Sequence, residues 1–201
     1  GVSVEVDLSG VAGVELDSEL PCAKLAFGSP ASAYTCLRRT AGVPLGAMAC
    51  KLKFLVKDVD PAKGEPEEED QGYDDEYNLE ELELAAADFM RKVAVADFRE
   101  SWETMGNGCE KVETFSLTYN SLRQAMEAII EFLGMQVCDN TGNPADGART
   151  HAVLLSGVFL GGVQVFAIVN LRTDGGKSVG MRLTVRSTDM QVSSFVAASV
   201  A

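Results

Sequence analysis

This sequence is poor in the residues from which most catalytic and metal sites are built. It has one histidine, His151, and five widely spaced cysteines, Cys22, Cys36, Cys50, Cys109 and Cys138, with no Cys-x-x-C pair. A structural zinc site needs four clustered nitrogen or sulfur ligands, and the spacing supplies no such set. An odd number of scattered cysteines fits reduced, mostly buried thiols better than a disulfide framework. Basic charge is also scarce. Lysine and arginine number 17 against 30 acidic residues, a net charge of −13. A nucleic-acid binder would need a basic footprint, so nucleic acid is not an expected partner. Long uninterrupted apolar runs are missing too. Residues 152–171 carry no formal charge and would be long enough to cross a bilayer. Gly161-Gly162 divides them into two runs of strand length rich in Val, Ile and Phe, which reads as a hairpin.

What is present is the composition of a folded protein, 46% hydrophobic and 23% charged. The acidity is concentrated. Glu65, Glu67, Glu68, Glu69, Asp70, Asp74, Asp75 and Glu76 account for −8 of the total, leaving −5 for the remainder. Repulsion and lack of apolar surface predict a mobile acidic loop over residues 58–78. Its bland reading is a solvated linker, and its sharper one a docking segment for a basic partner. The chain opens inside an apparent strand, with Val2, Val4 and Val6 alternating against Ser3, Glu5 and Asp7. No leader is evident there, and the expectation is a piece of a longer protein.

The strand reading continues over residues 22–27, 33–38, 47–57 and 79–86. Further on, Phe98, Trp102 and Met105 form one stripe of a short helix over residues 97–105. Residues 112–118 alternate as a strand. Ser121-x-x-Gln124 resembles a capping box opening a second helix, with Leu122, Met126, Ile129 and Leu133 as its buried stripe and Gly134 as its C-terminal glycine. Strands follow over 151–159, 163–172 and 178–187. The shift near residues 88–96 predicts an all-β part over 1–88 and an α+β part over 89–201.

The constellations that could carry chemistry are weak. Gly176-Lys177-Ser178 resembles the tail of a phosphate-binding loop, but Leu171 stands where the first glycine belongs and a strand follows instead of a helix. Asp58-x-Asp60 with Glu69 resembles a calcium loop, but Lys63 occupies its required glycine position. No cofactor or metal is expected. His151 could serve as the base of a hydrolase. No Gly-x-Ser-x-Gly elbow accompanies it, and Ser156 falls mid-strand, so an enzyme is not the expectation.

Residues 72–106, GYDDEYNLEELELAAADFMRKVAVADFRESWETMG, are the most informative stretch. The order Gly-Tyr-Asp-Asp-Glu-Tyr, then Trp102, EFLGMQ at 131–136, HAVLLSGVF at 151–159, Gly161-Gly162, TVRS at 184–187 and the terminal Ala-Ser-Val resembles the C-terminal appendage of the coatomer gamma subunit, of the COPI vesicle coat. The resemblance is good from about Cys50 onward and loose before it. It implies an α+β fold: an immunoglobulin-like β-sandwich followed by a mixed α/β platform, similar in architecture to clathrin-adaptor appendages. With only four or five strands ahead of the acidic loop, the sandwich is expected to be incomplete, its N-terminal part lying outside this chain.

The resemblance also implies a non-enzymatic domain that recruits coat regulators, an Arf GTPase-activating protein foremost, in Golgi-to-ER and intra-Golgi transport. Expected partners are the other coatomer subunits and the Arf1 GTPase through the complex. Membrane contact would be indirect, on the cytoplasmic side of the Golgi membrane and COPI-coated vesicles. In that family the tryptophan matching Trp102 marks the platform's partner-binding site. Residue periodicity alone leaves Trp102 open between core and partner surface, and a purely structural coat domain with Trp102 buried remains the alternative. Phe98 lies on the same stripe. Arg182 and Arg186 share a strand face, and Arg172 and Lys177 flank the neighbouring turn. These arginines suit capture of acidic or aromatic peptide groups, unless they are an ordinary solvated face.

Overall fold

In a computed structural model of the chain, residues 1–26, 28–40, 46–58, 60, 62, 70–173, 175 and 178–200 are described. They form two compact units, Gly1–Leu84 and Ala85–Ala201. Lys63, Glu65 to Glu69 and Lys177, weighed above, lie outside the described residues.

The first unit is made of small antiparallel sheets. Strands β1 (Val2–Val6), β2 (Val14–Leu20), β3 (Tyr34–Arg39), β4 (Gly46–Met48), β5 (Cys50–Val56), β6 (Tyr73–Asn78) and β7 (Leu82–Leu84) pair as β1-β5-β6, β2-β3 and β4-β7. Thr35 Oγ1 donates to the Val4 carbonyl at 2.7 Å and ties β3 to β1. Several expectations need correcting here. Residues 22–26 form no strand, and Cys22 makes a single bridge to Val2. Instead Val14–Leu20, overlooked because only Val14, Leu16 and Leu20 are apolar, pairs with β3 through an irregularity between Leu16 and Ser18. The strand expected over 47–57 is divided, with β4 and β5 taking different partners. The strand expected over 79–86 is only Leu82–Leu84, because Ala86–Phe89 turns into a 3-10 helix closed by the Asp88 carboxylate accepting from the Ala85 N–H.

The end of the expected acidic loop is also a strand. β6 sets Glu76 opposite Lys53 and Asn78 opposite Lys51, and Lys51 Nζ reaches Glu76 at 2.9 Å. Lys53 is paired with Glu5 across β1. Cations on β5 offset the repulsion among the acids that argued for a loop. The hydrogen bond and charge of Lys51 hold the Glu76 carboxyl below its ordinary range. Gly72 opens this strand with φ of +71°, and a Cβ there would lie 2.5 Å from the Val56 carbonyl oxygen. The glycine ahead of Tyr73 is therefore required by the approach of two backbones.

The second unit is a helix-backed antiparallel sheet. Its elements are β8 (Met90–Lys92), α1 (Phe98–Met105), β9 (Glu110–Leu117), α2 (Leu122–Leu133), β10 (Gln136–Val137), β11 (Thr150–Phe159), β12 (Val163–Thr173), β13 (Val179–Ser187) and α3 (Met190–Ala198). The order is β10-β11-β12-β13-β9, and β8 shares the outer edge of β11 with β10. Gly162 N–H returns to the Phe159 carbonyl at 2.9 Å, closing the β11–β12 hairpin. On one face Val153, Leu155, Val165, Ala167, Val169, Met181, Leu183 and Val185 are fully buried. α2 packs beside β11 and β12, and α3 beside β13 and β9. Phe89, Phe159 and Phe195 close an aromatic cluster with centroids 5.8–6.3 Å apart.

α2 runs as its sequence predicts. The Ser121 side chain accepts from the Gln124 N–H, Leu122, Met126, Ile129 and Leu133 are buried, and Gly134 is left-handed at φ 61°. A Cβ on Gly134 would come within 2.8 Å of Ala87 Cα. The C-terminal segment, given no structure above, is α3, capped by Asp189 and anchored by Val192, Val196 and Ala197. Sheet-rich units with three α-helices among the described residues make the fold α+β.

Candidate functional site

The short helix α1 stands on the sheet face opposite the one just described. Asp97 caps it by accepting from the Glu100 N–H at 2.8 Å, and Arg99 pairs with Glu103 one turn on. Phe98 is buried and meets Phe166 of β12 edge to face at 5.6 Å. Cys138, Val95, Met105, Leu154 and Ile168 complete this small cluster.

Trp102 is neither core nor fully exposed. It is half-buried, its ring stacked on Phe98 with centroids 5.7 Å apart and planes 21° from parallel. The Arg186 guanidinium lies over the indole, 4.1 Å from the ring centroid. The same guanidinium donates Nη1–H to the Trp102 carbonyl at 3.0 Å and Nε–H to Glu110 at 2.7 Å. Among the described residues the indole N–H has no protein acceptor. A rigidly held ring whose edge is left open, with a spare donor on that edge, suits contact with an apolar or aromatic group.

The five residues singled out from sequence fall into two places. Phe98, Trp102 and Arg186 converge at α1. Arg172 and Arg182 are exposed on the same sheet face, along its strands, and line a shallow depression with Thr114, Thr150, Ala152 and Asn170. Arg186 differs from the other two. Only 17% of its side chain is exposed, and it faces inward to Trp102 and Glu110. Glu110 was missed by sequence reasoning. The signal that could have found it is the antiparallel register that sets it opposite Arg186.

His151 Nε2 sits 2.8 Å from the Thr141 carbonyl, so the ring donates to backbone and serves to pin the loop before β11. Burial pushes the Cys138 thiol above its ordinary range, which keeps it protonated and unreactive. Among the described residues, no group of three or more His, Cys, Asp or Glu side chains could hold a metal ion. Nor is any described helix long and apolar enough to cross a membrane.

Two family models cover nearly the whole chain. The C-terminal appendage platform of coatomer subunit gamma-1 matches residues 87–200, and the coatomer gamma subunit appendage platform subdomain matches residues 1–85. The second name uses "platform" for residues that form the small sheets of the first unit, whereas the helix-backed sheet lies within the first match. Coatomer subunit gamma of Arabidopsis thaliana is 42% identical over 170 residues, 84% of this chain and 19% of the relative. Coatomer subunit gamma-2 of Danio rerio is 40% identical over 185 residues, 90% of this chain and 21% of the relative. Coatomer subunit gamma-1 of Mus musculus is 36% identical over 202 residues, 98% of this chain and 23% of the relative. The chain thus spans about a fifth of the length of the curated relatives it matches.

Proposed function

Since the chain belongs to the coatomer gamma appendage family, we propose that it is a non-enzymatic recruiting domain of the COPI coat whose partner site is Trp102. The observation that carries this reading is the half-buried indole, fixed between Phe98 and Arg186 with its N–H unused by the described protein groups. A side chain that served only as core would be expected to be buried like Phe98. A rigid aromatic anchor loses little conformational entropy on binding and dominates interface energetics. The partner is an Arf GTPase-activating protein, which couples GTP hydrolysis on Arf1 to the coat. The other coatomer subunits hold the domain in the complex. Membrane contact is indirect, on the cytoplasmic face of Golgi membranes and COPI vesicles.

The test is a pull-down from cytosol with the chain and its Trp102→Ala variant, probed for Arf GTPase-activating protein, with folding checked by circular dichroism. The expected result is retention by the parent chain and loss by the folded variant. Equal retention would remove Trp102 from the partner site.

A second reading has one observation in its favour. The indole is stacked on the buried Phe98 and covered by the Arg186 guanidinium of β13, so the residue could serve only to fasten α1 to the sheet within a structural coat domain. Under that reading, Trp102→Ala lowers stability and leaves partner retention unchanged in the folded fraction.

A further inference from the structure

The depression that holds Arg172 and Arg182 is separate from the Trp102 cluster, and the register of the sheet explains its shape. Ala152, Asn170, Arg182 and Thr114 stand in one cross-strand row, and Thr150, Arg172 and Gly180 in the next. The small residues Ala152 and Gly180 lower the floor, so the two arginines stand over a hollow beside threonine and asparagine side chains. No described acidic side chain lines it, in a chain whose net charge is −13. Asn170 and Thr114 flank Arg182 in its own row, and both can donate hydrogen bonds as well.

We propose that this hollow is a carboxylate subsite for an acidic, extended peptide whose aromatic residue packs against the open edge of Trp102. The inference rests on the partner-site reading of Trp102 and adds a second point of contact to it. Arg186, at the indole, and Arg182 are four residues apart on β13, a separation of about 13 Å at roughly 3.3 Å per strand residue. An extended peptide running along β13 therefore places its carboxylate about four residues from its aromatic anchor. Arg186 is occupied by Glu110 and by Trp102 itself, whereas Arg182 stands exposed at the hollow and provides the charge recognition. Arginine suits the task because its planar fork binds a carboxylate with two parallel hydrogen bonds.

The test is isothermal titration of the 201-residue chain with an acetylated, amidated Phe-Gly-Ser-Gly-Glu peptide and its counterpart ending in Gln. The parent chain is expected to prefer the Glu peptide by about fivefold, the scale of an exposed charge-assisted pair. Arg182→Gln removes that preference and leaves affinity for the Gln peptide unchanged. Trp102→Ala weakens both peptides and keeps their ratio. Equal affinity of the parent chain for the two peptides, equal weakening of both by Arg182→Gln, or no binding of either at millimolar concentration would each overturn the subsite. Arg182-dependent binding of phosphatidylserine vesicles without any Glu preference would overturn it in favour of a lipid face. If Trp102→Ala binds both peptides as the parent does while the Arg182-dependent preference persists, the Trp102 reading fails and the hollow alone recognises the carboxylate.

Discussion

Arg186 makes three contacts with one guanidinium: it covers the Trp102 ring, donates to the Trp102 carbonyl and pairs with Glu110. Removing it leaves a half-buried carboxylate without its partner and an indole without its lid. Arg186→Ala is expected to lower unfolding free energy by about 2 kcal/mol and to shift the emission of the single tryptophan to longer wavelength. Arg186→Lys keeps the charge but loses the fork and the planar stack, and is expected to recover about half of that loss. Urea denaturation followed by intrinsic fluorescence reads both, and an Arg186→Ala variant as stable as the parent would show that the contact is idle. This arrangement was only partly legible in the sequence. The stripe of Phe98 and Trp102 follows from helical spacing, and the shared face of Arg182 and Arg186 from strand alternation. Glu110 could not be found without the pairing of β9 with β13, because nothing local to its sequence indicates which strand lies beside it. The same gap concealed that Arg186 turns inward while Arg182 does not.

Among the elements, α2 was fully legible because cap, stripe and terminating glycine all point the same way. The close contact of Gly134 with Ala87 was not, since it joins two segments far apart in sequence. Gly134→Ala adds a left-handed penalty of roughly 1 kcal/mol to a steric clash at 2.8 Å, and is expected to cost about 2–3 kcal/mol in total by chemical denaturation. A loss below about 0.5 kcal/mol would show that α2 and the Ala86–Phe89 turn separate easily. β6 was illegible for the opposite reason. Its own residues argue for a loop, and the pairing with β5, whose lysines stand opposite its acids, makes it a strand.

That dependence gives β6 a pH response. The hydrogen bond and charge of Lys51 depress the Glu76 carboxyl, and the backbone N–H groups of Gly72 and Asp58 depress that of Asp70. A depressed carboxyl contributes stability above its unfolded pKa and loses it as pH falls through the folded value. Acidification below the ordinary carboxylate range is therefore expected to loosen β6 from β5 while the β11–β12–β13 meander holds. Amide chemical shifts along a pH titration would show this, and uniform behaviour of both sheets would contradict it. The Glu76 carboxyl is exposed, so added salt weakens its contribution.

At the scale of the molecule, the two units differ in how much they bury. In the first, Val11, Met48 and Cys50 are the buried apolar residues among those described, while the second holds a continuous layer between sheet and helices. Hydrogen exchange is therefore expected to be faster for the amides of β1, β5 and β6 than for those of β11, β12 and β13. Limited proteolysis should leave a resistant core beginning near Ala85. Equal protection across both units would show that the first is stabilised by something other than its own burial. The α+β class was legible from the change in periodicity along the chain, but the sheet order was not, because period-two patterns reveal faces and say nothing of neighbours.

That order also has a consequence in time. Glu110 at the head of β9 is paired with Arg186 of β13, and Met90 of β8 with Phe159 of β11. Both edges of the sheet are thus translated before the three long strands between them. On a ribosome, β8 and β9 leave the exit tunnel with no strand to join, and β13, the partner of β9, emerges only after β11 and β12. The unit that carries Trp102 cannot close progressively from its N-terminus, so its assembly is set by β13, the last of its strands to be made.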